Sequence, residues 1–245
     1  MAKQSLSARL RARVPLEIKH AVLSAISSPF DLDRVPLRHA TPSRVSSAEL
    51  VATMDGARRF HTPLGVLNYA LSCAPATGLA AEFGVYSGAT LRRIAAQRPG
   101  AHGFDSFEGL PEDWRGSYRQ GAFAVDRLPI VNDAVLHVGW FDDTLAPFLA
   151  EHQEPAAFLH LDADLYSSTA TVLDAFEDRI VPGTVLAFDE YFNYPGWEEH
   201  EHLAFTEFIE RTGHAFDYLA YNSRGQQIAV RIRGVCQLNG VSLLV

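Results

Sequence analysis

The chain is poor in sulfur, has no excess of positive charge and contains no long apolar run, and each shortage removes a class of protein. Only Cys73 and Cys236 occur in 245 residues, far apart and in no paired motif. A disulfide framework is thereby excluded, and reduced core thiols in a cytoplasmic protein are expected. Lys and Arg number 21 against 29 Asp and Glu, a formal charge of -8, which argues against a nucleic-acid partner, since such proteins normally present a basic face. No apolar stretch approaches the roughly 20 residues of a membrane span, and no cleavable signal pattern is visible. Internal repeats and low-complexity tracts are missing as well. What is there is ordinary: 47% hydrophobic and 20% charged residues, enough for one large α/β domain with a short extension.

Charge is uneven along the chain. Residues 1–20 carry Lys3, Arg9, Arg11, Arg13 and Lys19 against the single acid Glu17. A basic amphipathic helix can lie on a membrane surface, but Pro15 and Pro29 break this segment into short pieces. A surface helix that covers an active site or pairs with a second subunit is expected instead. Residues 30–45 lack a period and read as a connection. Ser46–Glu49 has a capping-box pattern, with Leu50, Val51 and Met54 forming a helical face behind it. A second helix is expected from Leu64 to Cys73.

From Leu79 the order becomes regular. Strands are predicted at Leu79–Val85, Gly103–Phe107, Ala134–Val138, Ala157–Leu161 and Val185–Phe188, separated by helices at Ala89–Arg98, Thr144–Glu151 and Ser168–Arg179. Strand and helix alternate, so the sheet should be parallel and doubly wound. A helix near Glu201–Arg211 then leads into a hairpin, Phe216–Tyr221 and Gln227–Arg233, whose strands should close the sheet antiparallel. The expectation is a mostly parallel, seven-stranded α/β sheet over residues 63–245, with residues 1–62 as a helical extension or lid.

Two groups of polar residues fall at the carboxyl ends of these strands, where open α/β sheets place their ligands. The first is Glu82-Phe-Gly84-Val85-Tyr86-Ser87-Gly88, in which the glycines allow a tight turn and a close ligand approach. A dinucleotide loop would hold a pyrophosphate here, but Glu82 is unfavourable to an anion and suits a ligand with a cationic amine and a sulfonium. Asp105 and Ser106 end the second strand about 20 residues on, where an acid can take both ribose hydroxyls. Gly139, Trp140 and Phe141 follow the third strand, at an adenine-pocket position. The plainer reading makes the glycines ordinary strand-to-helix turns and Asp105 a loop acid.

The second group is Asp162, Asp189 and Glu190, each ending an apolar run. Like charges a few Å apart repel by about 4 kcal/mol per pair at an effective dielectric of about 20, so a cluster of three favours a cation. Oxygen-only ligands select a hard ion such as Mg2+. Asp162, Asp164, His160 and His200 are candidate general bases, with Asp162 serving both metal and proton first and His200 second. His160 lies inside an apolar strand and has a structural alternative, as do His200 and His202 at a helix start. Trp114, Tyr118, Trp140, Tyr191, Tyr194 and Trp197 fall in loops on the same rim, where a ring of aromatics can hold a sugar or flat acceptor, though some must only pack.

Five parallel strands and a terminal hairpin resemble the plan of class I S-adenosylmethionine methyltransferases. The motifs Glu-Phe-Gly-Val-x-x-Gly, Gly-Phe-Asp-Ser-Phe-Glu-Gly-Leu-Pro (103–111), Leu-Asp-Ala-Asp-Leu-Tyr-Ser-Ser-Thr and Phe-Asp-Glu-Tyr resemble the macrocin and mycinamicin sugar O-methyltransferases over residues 78–233. That resemblance implies a magnesium-dependent O-methyltransferase acting on a sugar hydroxyl of a natural product, usually as a homo-oligomer. Its metal carboxylates map to Asp162, Asp189 and Glu190. Family members often have Asp-Asp-Tyr where this chain has Asp189-Glu190-Tyr191. Competing expectations are a catechol or phenol acceptor, an Asp-x-Asp glycosyltransferase built on Asp162-Ala163-Asp164, and a non-catalytic cofactor-binding subunit.

Overall fold

Three strands are buried along their whole length: β2 (Leu79–Phe83), β5 (Ala156–Leu161) and β6 (Val185–Phe188). Continuous apolar runs of this kind are covered on both faces, as parallel strands between helices are. The structure is a computed structural model, which describes Leu32, residues 41–116 and residues 118–235. The basic segment with Lys3, Arg9, Arg11, Arg13 and Lys19, residues 30, 31 and 33–40 of the expected 30–45 connection, and Cys236 lie outside the described residues. No helix among those described is long and apolar enough to cross a membrane.

The elements follow in the order α1 (Pro42–Ala52), β1 (Arg58–Phe60), α2 (Pro63–Cys73), β2, α3 (Ala89–Gln97), β3 (Ala101–Asp105), β4 (Ala134–Val138), α4 (Phe141–Glu151), β5, α5 (Tyr166–Ala175), β6, α6 (Glu201–Thr212), β7 (His214–Asn222) and β8 (Ile228–Val235). They form one sheet in the order β1-β7-β8-β6-β5-β2-β3-β4. β2 through β6 run parallel, and β8 joins antiparallel to β6 and to β7. The sheet has eight strands, not seven. The extra one, β1, is a three-residue edge pairing with β7, and its two arginines are exposed, so no apolar alternation announces it.

Three local expectations are corrected. The first helix starts at Pro42, with proline at its first turn, where a missing N–H does no harm. Ser46 and Ser47 therefore sit inside it rather than capping it, and the Ser47 hydroxyl donates to the Ser43 carbonyl. β3 ends at Asp105 instead of running to Phe107, because Asp105 Oδ1 accepts from the Phe107 N–H at 2.6 Å and turns the chain. The helix expected to reach Arg179 stops at Ala175 and continues as a 3₁₀ turn, Glu177–Arg179.

Alternation along β2 sorts side chains between two cores. Leu79, Ala81 and Phe83 meet Phe104, Phe176 and Phe188 on the α4–α6 side. Ala80 meets Val66, Leu67, Leu91 and Ile94 on the α2–α3 side. By the same period Glu82 points with Ala80, and His160 with Phe158, which places two polar groups on the α2–α3 side just below the rim.

Candidate active site

Glu82 and His160 are register partners on β2 and β5. His160 Nδ1 lies 2.9 Å from Glu82 Oε1, with both side chains out of solvent. Burial pushes the Glu82 carboxyl up, and the imidazole pulls it back. Burial opposes a charge on His160, yet the Glu82 hydrogen bond and field hold its pKa up. Glu82 Oε2 makes no well-formed hydrogen bond among the described residues, only a weaker contact from the Thr90 hydroxyl. A cavity of about 20 Å3, lined in part by Thr90, His160, Asp189 and Gln227, has room for one water.

Above this pair the chain turns at Gly84, where φ is +92° and an added Cβ would lie 1.8 Å from the Asp162 carbonyl oxygen. The turn is fixed from the other side by Asp105. Its Oδ2 accepts from the Val85 and Tyr86 N–H groups at 2.8 and 2.7 Å, and Oδ1 from Phe107. A carboxylate has about four acceptor positions, so most of Asp105 is engaged in shaping the loop. Gly139 N–H donates to the Asp105 carbonyl and brings Trp140 and Phe141 alongside. The expected cofactor residues Glu82–Gly88, Asp105, Ser106 and Gly139–Phe141 thus share one end of the sheet.

The carboxylates gather beside them. Asp162, Asp164 and Glu190 offer oxygens that all lie within 4.8 Å of one another, and Asp162 also groups with Glu82 and His160. Asp164 reaches the cluster through a left-handed backbone, φ 63°, a conformation disfavoured by roughly 1–2 kcal/mol outside glycine. Asp189 is turned toward β8, where it accepts from Gln227 Nε2 at 3.2 Å. Burial, then the fields of Asp189 and the other acids, raise Asp162 and Glu190 well above the usual carboxylate range. Asp164 is raised to about 7 by burial, against the lowering field of Arg115. Glu190 Oε2 is buried without a partner among the described residues, as suits an oxygen placed for a cation.

A roof comes from Trp114, Arg115 and Tyr118, between β3 and β4, with Tyr194 and His200 from beyond β6. Arg115 lies between two rings, 4.0 Å from Trp114 and 3.8 Å from Tyr194, and donates to Gln226 Oε1 at 2.8 Å. His200 packs against Trp114 and Tyr194, and burial followed by Arg115 lowers its pKa. Trp114 Nε1 and the Tyr194 hydroxyl are buried without partners among the described residues. Tyr118 joins this group through Trp114. Tyr191 and Trp197 do not: both are buried in the core, and the Trp197 indole N–H donates toward Ser43 and Ser46 of α1. Sequence reasoning overlooked Arg115, which has no local signal beyond its aromatic neighbour. It also overlooked Glu201, whose place at the first turn of α6 was legible from the helix start.

Residues 81–191 match the methyltransferase domain family. A protein of Streptomyces olivaceus, 8-demethyl-8-(2,3-dimethoxy-alpha-L-rhamnosyl)-tetracenomycin-C 4'-O-methyltransferase, is 33% identical over 109 residues, which is 36% of this chain and 40% of that protein. The chain therefore matches well under two thirds of this curated relative's length. CalS11, a calicheamicin methyltransferase, superposes with a TM-score of 0.55 at 22% identity, covering 94% of this chain and 98% of its own. The O-methyltransferase NovP gives a TM-score of 0.52 at 21% identity over 69% of this chain and 79% of its own. Those two structures share the overall fold of this chain.

Proposed function

We propose that the chain is a class I methyltransferase of the sugar O-methyltransferase family and that it moves a methyl group from S-adenosylmethionine to a hydroxyl of a glycosylated small molecule, assisted by a divalent cation. The observation that carries this reading is the meeting of Asp162, Asp164 and Glu190 within 4.8 Å, next to the Gly84 turn. An all-oxygen donor set, with one buried carboxylate oxygen unpartnered among the described residues, fits a hard cation such as Mg2+. When bound, such an ion would polarise the acceptor hydroxyl and ease its ionisation.

The chain's own residues divide the remaining work. Asp162 and Glu190 would hold the ion, with Asp189 behind them. The Gly84–Gly88 turn gives the methyl donor a close approach to the backbone, and Glu82 sets a negative charge beneath its cationic end. Trp114, Arg115 and Tyr194 exclude water, which aligns nucleophile and methyl carbon. Asp164, raised to about 7, is better placed by its turn to take the hydroxyl proton than the expected pair Asp162 and His200. A methyltransferase sheet speaks against the Asp-x-Asp glycosyltransferase reading of the same residues. The homo-oligomer expectation stands as part of this proposal.

The test uses labelled S-adenosylmethionine, excess chelator and Asp162→Asn, with sugar-bearing and catechol acceptors in parallel. Chelator and substitution should each lower turnover by about a hundredfold or more, while S-adenosylhomocysteine affinity stays within a few fold. Full activity in excess chelator would end the cation part, and preference for the catechol would end the sugar part.

A further inference from the structure

Glu201 is fully buried at the first turn of α6, yet it is not among the acids whose oxygens cluster within 4.8 Å. Its Oε2 accepts from the backbone N–H of Glu190 at 3.0 Å. The Ala163 backbone N–H makes a weaker contact with the same carboxylate, whose Oε1 has no well-formed hydrogen bond among the described residues. Those two donors belong to different loops. Ala163 lies between Asp162 and Asp164 in the loop after β5, and Glu190 lies in the loop after β6. One side chain therefore bonds the main chain of one loop of the acidic rim and touches that of the other.

We propose that Glu201 is a positioning residue that fixes the spacing between Asp162 and Asp164 on one loop and Glu190 on the other, and so sets the cation affinity of the rim. The proposal rests on the reading of that rim as a cation site. Repulsion among the acids pushes the loops apart. A side chain bonded to the backbone of one loop and in contact with that of the other opposes this separation. Its place at a helix start favours negative charge there, since the helix N-terminus is positive. Removing the side chain would leave two donors in search of partners, and nothing else on α6 reaches both loops in the hydrogen bonds of the described residues.

The test compares wild type with Glu201→Gln and Glu201→Ala in three measurements: hydrogen exchange at the Ala163 and Glu190 amides by NMR in cation-free protein, Mn2+ affinity by EPR, and S-adenosylhomocysteine affinity by calorimetry. In Glu201→Ala both amides should exchange about tenfold faster or more, Mn2+ affinity should fall about 10–100-fold, and S-adenosylhomocysteine affinity should stay within about twofold. Glu201→Gln, which keeps one acceptor oxygen and the shape, should lie between and covers the case in which the alanine variant does not fold. Unchanged amide exchange overturns the proposal, and with weakened Mn2+ binding it makes Glu201 a direct ligand instead. Absence of Mn2+ binding by wild type counts against the cation reading alone, because the exchange measurement still decides whether Glu201 ties the loops.

Discussion

Gly84 and the Asp162 carbonyl oxygen are so closely packed that a methyl group on the glycine would sit 1.8 Å from that oxygen. The cofactor-side turn and the acidic strand end are thus one object, and the Asp162 N–H donating to the Phe83 carbonyl at 2.9 Å joins them again. Gly84→Ala should therefore damage both stability and cofactor binding. Gly56 separates the two causes: its φ is also positive, +76°, but nothing lies within 4 Å of its added Cβ. Gly56→Ala should show only the backbone penalty, about 1–2 kcal/mol. Gly84→Ala should exceed it by at least about 1 kcal/mol in denaturant unfolding and weaken S-adenosylhomocysteine binding about tenfold or more. Equal destabilisation by the two substitutions would show that the contact with Asp162 is not what requires glycine.

A different variant probes the layer beneath. Glu82→Gln keeps an acceptor for His160 but removes the negative charge under the turn. Cofactor affinity should drop about tenfold, the scale of one lost charge-assisted contact, with Mn2+ affinity changed by no more than about threefold. Calorimetry decides the matter, and equal S-adenosylhomocysteine affinity in both proteins would remove Glu82 from the cofactor site.

Much of this arrangement was legible in the sequence, for a physical reason. β2, β5 and β6 are mostly apolar and fully buried, so β6 was placed to the residue, as was the edge strand β4, and the carboxylates that follow β5 and β6 were visible as breaks in apolar runs. What could not be read was set by side chains acting on distant backbone. Asp105 ends β3 by capturing Phe107, Asp164 returns to the rim through a left-handed turn, and Glu201 reaches two loops far from it in sequence. β1 escaped notice because an exposed edge of two arginines carries no hydrophobic period. Tyr191 and Trp197 looked like acceptor-binding rings from their loop positions, but burial against α1 and α6 made them core.

Removing the cation should make stability fall as pH rises. In the folded protein Asp164 titrates at about 7, against roughly 3.9 in an unfolded chain, and Asp162, Glu190 and Glu201 are raised in the same direction by burial and mutual repulsion. Folded protein therefore holds protons that unfolded protein has released. Their stabilising contribution is complete below the unfolded value and is lost as pH climbs through about 7. His102 has the opposite sign, because burial lowers it to about 4, so its contribution is lost only as pH drops from about 6.5 through about 4. Above about pH 6.5 the lowered histidine adds no further change, and His160, held up by Glu82, adds to the carboxylates' decline in the same sense. The melting temperature of cation-free protein should decline from there to about pH 8, saturating Mg2+ should cancel the decline, and Asp164→Asn should flatten it. A flat profile in cation-free wild type would mean that the acids do not repel as their packing implies.

Arg115 offers a way to separate charge from shape at the roof. Its guanidinium carbon lies 4.0 Å from the centre of the Trp114 ring and 3.8 Å from that of Tyr194, and its field lowers the pKa of Asp164. Arg115→Lys keeps the charge but loses the guanidinium's contact with the two rings, worth about 0.5–2 kcal/mol in cation–π terms. Arg115→Gln loses the charge. If Asp164 takes the acceptor proton, the loss of Arg115's field raises its pKa and moves the acid limb of the kcat/KM profile to higher pH in the glutamine variant, while the lysine variant leaves that limb nearly in place. Both should alter the fluorescence of Trp114, since both remove the stacked partner. KM for the acceptor should rise in each, because the same two rings would then be free to move. An acid limb that shifts equally in both variants would assign the effect to the roof's packing and take the proton away from Asp164.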